Sequence, residues 1–111
     1  MTNSKIIAIP KAPKELSDEA RSLWQSLVRD YAIDDGAGLI LLRTACEALD
    51  EMRRAQAILD RDGPVIEDRF GQQRQHPATL VVRDSRNALL KALRQLNLDV
   101  EPGSFLKSRN K

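Results

Sequence analysis

Residues 37–62 read AGLILLRTACEALDEMRRAQAILDRD, a run with no proline and no glycine after Gly38. That composition favours helix throughout. Leu42, Ala45, Leu49, Met52 and Leu59 recur close to a three/four spacing, which gathers apolar side chains on one helical face. At about 1.5 Å per residue the helix is about 40 Å long. One short neighbour does not cover such a length, so its spare apolar surface, including Ile40, Leu41 and Ile58, invites another subunit. Asp50 and Arg54 stand as an acid-before-base pair at i, i+4, which predicts a solvated opposite face. Asp34-Asp35-Gly36 breaks and recaps the chain ahead of the run, and Gly63-Pro64 stops it.

Working outward, Ala20, Leu23, Trp24, Leu27, Val28 and Tyr31 fall at i, i+3, i+4, i+7, i+8 and i+11. This apolar stripe predicts a helix over residues 18–31, with Ser17 as N-cap and Asp18 and Glu19 at the positive end of the dipole. Residues 1–16 lack an amphipathic period and hold Lys5, Lys11 and Lys14 among Pro10 and Pro13, so they read as a flexible arm. On the other side, two short extended runs flank Gly71 over residues 64–75 and predict a small β-hairpin. His76-Pro77 then opens a last long helix over 77–96, with proline at the first helical position. Val82, Ser85, Leu89, Leu93 and Leu96 line one of its faces, and Arg83, Asn87, Lys91 and Arg94 another. The tail holds Pro102 and Gly103, ends with Lys107, Arg109 and Lys111, and is expected to fray. The expected fold is mainly α, a single helical domain over 17–98 with flexible basic segments at 1–16 and 99–111.

Composition narrows the chemistry. With 111 residues, 41% hydrophobic and 31% charged, the chain supports one domain with a modest core. Trp24, Tyr31, Phe70 and Phe105 are too few aromatics for base-stacking platforms or carbohydrate clefts. Cys46 stands alone, which excludes an internal disulfide and a cysteine zinc site and fits a reducing compartment; as a small residue on the long helix it reads as core. No apolar run reaches the roughly 18 residues of a membrane span, and the Ile-Ile-Ala-Ile patch near the N-terminus is too short for a signal-peptide core, so no membrane association is expected. Gly36-Ala37-Gly38-Leu39 lacks the Lys and hydroxyl of a phosphate loop. His76 is the single histidine and reads as a helix cap or a residue packed beside the hairpin. Glu47 and Glu51 share a helix face with Arg43 and Arg54 nearby, so ion pairing explains them better than a two-metal site. Asp60-Arg61-Asp62-Gly63 lacks the later glutamate of a calcium loop. Neither an enzyme nor a metal or other cofactor is expected.

Charge is unevenly placed. Residues 1–68 hold nine Lys/Arg against thirteen Asp/Glu, a balance of −4, and residues 69–111 hold nine against three, a balance of +6. Basic segments on small chains suit polyanions, although charge runs on helices are commonly only solvated faces. Arg83, Arg86, Lys91 and Arg94 occupy about a third of the circumference of the last helix, a surface able to neutralise phosphates without reading bases. Lys5, Lys11 and Lys14 on the arm, with Lys107, Arg109 and Lys111, add contacts from the two ends.

The order of segments resembles a known family. Ala12-Pro13-Lys14-Glu15-Leu16-Ser17-Asp18-Glu19-Ala20 followed by Leu23-Trp24 resembles the opening of phage terminase small subunits of the short type. Ala45-Cys46-Glu47-Ala48-Leu49-Asp50 with Gly63 is similar to their second element, Gly71 and His76-Pro77-Ala78 to their hairpin and next helix, and Leu96-Asn97-Leu98 with Pro102 to their close. Asp35-Gly36-Ala37-Gly38 departs from them, since they more often start this helix on polar residues without two glycines. The resemblance implies packaging of double-stranded viral DNA in the cytoplasm of the infected bacterial host. It implies a non-catalytic subunit that assembles as a ring and regulates a large ATPase/nuclease subunit. A closing ring needs a heterologous interface, and Ile40, Leu41, Leu42, Leu49, Met52, Ile58 and Leu59 are the expected one. The competing reading is a helical adaptor or antitoxin-like interaction module without direct DNA contact.

Overall fold

The computed structural model of the chain describes Pro10 to Leu96. The arm residue Lys5 and the tail over 99–111 lie outside the described residues. The elements are α1 (Asp18–Tyr31), α2 (Gly36–Asp62), β1 (Val65–Glu67), β2 (Gln73–Gln75) and α3 (Ala78–Gln95). The expected mainly helical architecture with one hairpin is the observed one, with ends shifted by a residue or two.

The path of the chain follows from three tethers. Ser17 and Glu19 at the start of α1 bond to Asp50 and Arg53 of α2, so α1 begins beside the middle of α2. It then runs back to the turn at Ala32–Asp35. Asp62 at the end of α2 bonds to His76 just before α3, so α3 returns along α2 as the most extensive helix pair in the fold. One core joins all three helices: Leu16, Trp24 and Leu27 from the α1 side, Leu42, Cys46 and Leu49 from α2, and Val82, Leu89 and Leu93 from α3. Leu42 and Cys46 are wholly enclosed.

Residues 10–16 are fastened rather than free. The Trp24 indole Nε1 donates to the Pro10 carbonyl at 3.1 Å, and one Arg21 guanidinium nitrogen donates to the carbonyls of Lys14 and Leu16 at 3.1 and 3.2 Å. Leu16 enters the core. Thus the described part of the expected arm lies along α1 as a strap, with a buried leucine and an indole donor that takes a backbone partner.

Each helix start has a local cause. Ser17 accepts from the Ala20 amide at 3.1 Å, and Asp35 accepts from the Gly38 amide at 2.9 Å, both N-cap bonds. Pro77 occupies the N-cap position of α3 and offers no side-chain bond, so the helix starts at Ala78 rather than at the proline. The imidazole of His76 caps α3 in its place. Its Nδ1 accepts from the Ala78 amide at 3.0 Å while Nε2 meets Asp62 at 3.0 Å. Because Nδ1 accepts, the proton of the neutral ring lies on Nε2 and is donated to the Asp62 carboxylate. Arg61 first, and then His76, hold the Asp62 carboxyl well below its ordinary range. At the end of α2, Gly63 has φ 82° and ψ 162°, a conformation open essentially to glycine alone.

The two glycines that open α2 have different reasons. A Cβ on Gly38 would lie 2.8 Å from an Asp35 carboxylate oxygen and 3.0 Å from a methyl of Ile33, whereas one on Gly36 meets nothing within 4 Å. Gly38→Ala is therefore expected to disturb the Asp35 cap and cost about 1–2 kcal/mol despite a better helix propensity. Gly36→Ala is expected to stabilise by about 0.5–1 kcal/mol. Thermal unfolding of the two variants checks the opposite signs; equal shifts would mean that Asp35 and Ile33 do not constrain Gly38.

Candidate nucleic-acid interface

On α3 the inward face is Ala78, Val82, Ser85, Leu89, Ala92 and Leu93, all buried. The helical repeat then sets Arg83, Lys91 and Arg94 on the opposite side, and Arg86 on the flank that also carries Thr79. All four cations are exposed. Arg83 pairs with its neighbour Asp84 at 3.1 Å, on side chains more than 60% exposed, so the pair is weak and readily exchanged. Among the described residues, Arg86, Lys91 and Arg94 have no carboxylate at ion-pair distance. Arg83 and Arg94 lie about 16 Å apart along the axis, enough to meet more than one phosphate. Lys11 and Lys14 stand on the strap beside α1, both exposed.

The acidic residues have other duties. Arg43 pairs with Glu47 at 3.0 Å and Arg54 with Glu51 at 2.7 Å, on the outer face of α2. Asp50 does not take the expected surface pair with Arg54. It is buried, and its two oxygens accept from the Ser17 amide at 2.9 Å and the Ser17 hydroxyl at 2.5 Å. Cys46 is wholly enclosed in the core, where burial, reinforced by Asp50 and Glu47, pushes its thiol up to about 12. Among the described residues no cluster of three or more His, Cys, Asp or Glu is placed to hold a metal, and no helix is long and apolar enough to cross a membrane.

The expected apolar seam along α2 is largely used within the subunit. Leu42, Leu49 and Met52 are core residues, and Ile58 and Leu59 are half-buried against that core. Leu41 is half-buried as well. The three/four repeat that suggests a seam also seats α2 on α1 and α3, and Leu42, Leu49 and Met52 are buried within the subunit. Ile40 is 68% exposed, and Tyr31, across the Ala32–Asp35 turn, is 45% exposed.

The hairpin supplies residues that periodicity and charge do not single out. Asp68 organises its tip: one oxygen accepts from the amides of Phe70 and Gln72 at 2.8 and 2.9 Å, and the other from Arg74 Nε at 2.7 Å. Arg74 first, then these backbone donors, hold the Asp68 carboxyl below its ordinary range. Gly71 takes φ 81° to close the turn. Phe70 is left 75% exposed at the apex, with the Arg69 guanidinium 5.3 Å from its ring centre. The signal in the sequence is the turn glycine Gly71 directly after Phe70, which places the ring at the reversal rather than within a strand.

This order of helix, long helix, hairpin and basic helix has a counterpart among known families. A family model described as phage terminase, small subunit, matches residues 20–107. The chain belongs to the phage terminase small-subunit family. The match covers most of α1, all of α2, the hairpin and α3, and so all four candidate cations of α3, while Lys5, Lys11, Lys14, Arg109 and Lys111 fall outside it. Members of this family are DNA-packaging subunits and generally the non-catalytic partner in the terminase. No curated protein and no solved structure matches the chain significantly.

Proposed function

We propose that this terminase small subunit binds double-stranded viral DNA through the outer face of α3 and assembles as a ring-like homo-oligomer. In that form it regulates the large ATPase/nuclease subunit in the cytoplasm of the infected host, without catalysis of its own. The observation that carries the reading is the arrangement of Arg83, Arg86, Lys91 and Arg94 on one rigid helix whose other face is buried. Three of these cations are unpaired among the described residues, so phosphates can take them without breaking an existing bond. Lys11 and Lys14, and Lys5 on the arm, extend the basic surface. Contacts of this kind are weak singly and become strong when repeated around an oligomer.

For assembly, the exposed Ile40 and the half-buried Leu41, Ile58 and Leu59 are the members of the expected seam that α2 still offers outward, with Tyr31 exposed across the turn. Light scattering on the eluting protein is expected to report a discrete oligomer. Anisotropy of a labelled duplex is expected to show affinity falling with salt at a slope of about −0.9 for every phosphate neutralised, thus about −3.6 for a subunit that engages all four α3 cations. Absence of duplex binding even at low salt would remove the nucleic-acid reading and leave the adaptor module.

A further inference from the structure

The hairpin is built more rigidly than a mere connection between α2 and α3 requires. Its base is tied by the His76 amide to the Pro64 carbonyl at 2.8 Å, and by the His76 ring to both Asp62 and the Ala78 amide. Its tip is fixed by the bonds that Asp68 receives. Yet over residues 64–75 only Ile66 and Asp68 are even half-buried, so the element stands away from the helices. A two-stranded ribbon with no core of its own is marginal, and bonding at both ends compensates.

The most exposed large apolar side chain among the described residues, Phe70, lies at the apex of this ribbon. The guanidinium of Arg69 covers one side of its ring and leaves the rest free. Below the tip, Val65, Gln73, Arg74, Gln75 and Thr79 line one open concave surface between the hairpin and the first turn of α3. Thr79 stands one turn ahead of Arg83 and two ahead of Arg86, the i, i+4, i+7 relation of a single stripe. The hairpin and the cationic stripe therefore open onto a common surface. Arg74 lines this surface itself, Arg69 stands at the tip beside Phe70, and Arg83 and Arg86 continue the stripe from Thr79. Against these four cations stand the carboxylates of Asp68 and Asp84, engaged by Arg74 and Arg83, and the exposed Glu67 opposite Gln73. A polyanion on the stripe is led to the tip.

We propose that the hairpin tip is a DNA wedge: Phe70 enters between adjacent base pairs and kinks the duplex, while Arg69 takes a flanking phosphate. The inference rests on the duplex-binding reading of α3. Phosphates give a phenyl ring no bond, but an opened base step does, and apolar wedges on rigid elements unstack steps at a cost of a few kcal/mol recovered by wider contact. A two-stranded ribbon also has the dimensions to lie in a DNA groove. Steps that are already weakened cost less to open, so the wedge makes the protein favour deformable or mismatched positions.

The test uses the full chain with two labelled duplexes of equal length, one fully matched and one with a single central mismatch, read by anisotropy over a salt series. The wild type is expected to prefer the mismatched duplex by about tenfold. Phe70→Ala, whose truncation touches no core, is expected to abolish that preference while keeping the salt slope. Retention of the preference by Phe70→Ala, or its absence from a wild type that binds both duplexes, overturns the wedge and leaves the α3 interface standing. Loss of oligomer mass in Phe70→Ala with the preference unchanged overturns it in favour of a contact between copies. A wild type that binds neither duplex overturns both readings together.

Discussion

Reversing Arg83, Arg86 and Lys91 to Glu is expected to abolish duplex binding while the oligomer persists. The three side chains are exposed on α3, and the residues that seat this helix in the core, Val82, Ser85, Leu89 and Leu93 among them, are untouched. The fold has no reason to suffer. Each substitution removes one phosphate contact and adds a repelled charge, so the change in charge is −2 at each position. At low salt the loss of affinity is expected to exceed about 100-fold, with the salt slope falling by about 3 per engaged subunit. Arg83 carries its own acid, Asp84, so Arg83→Glu alone should give the smallest single effect. Anisotropy at several salt concentrations, with circular dichroism and light scattering on the same preparations, makes the measurement. Unchanged affinity at low salt would transfer DNA contact to the strap lysines Lys11 and Lys14 and to the arm and tail.

The contrast between Arg83 and Asp50 shows which parts of the molecule the sequence discloses. The apolar repeats of α1, α2 and α3 are dictated by neighbours three and four positions away, so periodicity locates all three helices and the polar face of the last. The hairpin is equally local: Gly71 must supply a positive φ where the strands reverse. What periodicity does not carry is the identity of the partner across space. Leu42, Leu49 and Met52 lie on an apolar stripe whether the stripe meets another subunit or α1 and α3, and the structure gives them to the latter. Asp50 has Arg54 one turn later, yet its partner is Ser17, thirty-three positions earlier, and Arg54 turns to Glu51. Gly38, a departure from a polar helix start, is the residue whose missing side chain admits Ile33 and the Asp35 cap.

Asp50→Ala is expected to be the most damaging single change among the polar residues, at about 2–4 kcal/mol. The carboxylate is buried and supports an N-cap on another helix: Ser17 donates both its amide and its hydroxyl to Asp50, and the same hydroxyl oxygen accepts from the Ala20 amide. Hydrogen bonds to a charged group are worth roughly 1.5–3 kcal/mol, and removal of the acceptor leaves the Ser17 amide without a partner in a partly buried position. The Arg53–Glu19 pair, with guanidinium-to-carboxylate distances of 2.9–3.2 Å, lies one turn along the same helix contact. It is about half exposed and contributes little by itself. For a domain of this size the Asp50→Ala loss corresponds to a fall in Tm of about 10–20 °C. Asp50→Asn keeps an acceptor oxygen and should fall between alanine and wild type. Arg54→Ala, which breaks only an exposed pair with Glu51, should cost no more than about 0.5 kcal/mol. A double-mutant cycle of Asp50→Ala with Ser17→Ala isolates the link: each single variant breaks the hydroxyl–carboxylate bond, so the double should cost clearly less than the sum. Strict additivity, or equal losses for Asp50→Ala and Arg54→Ala, would show that Asp50 acts on α2 alone and does not couple the start of α1 to it.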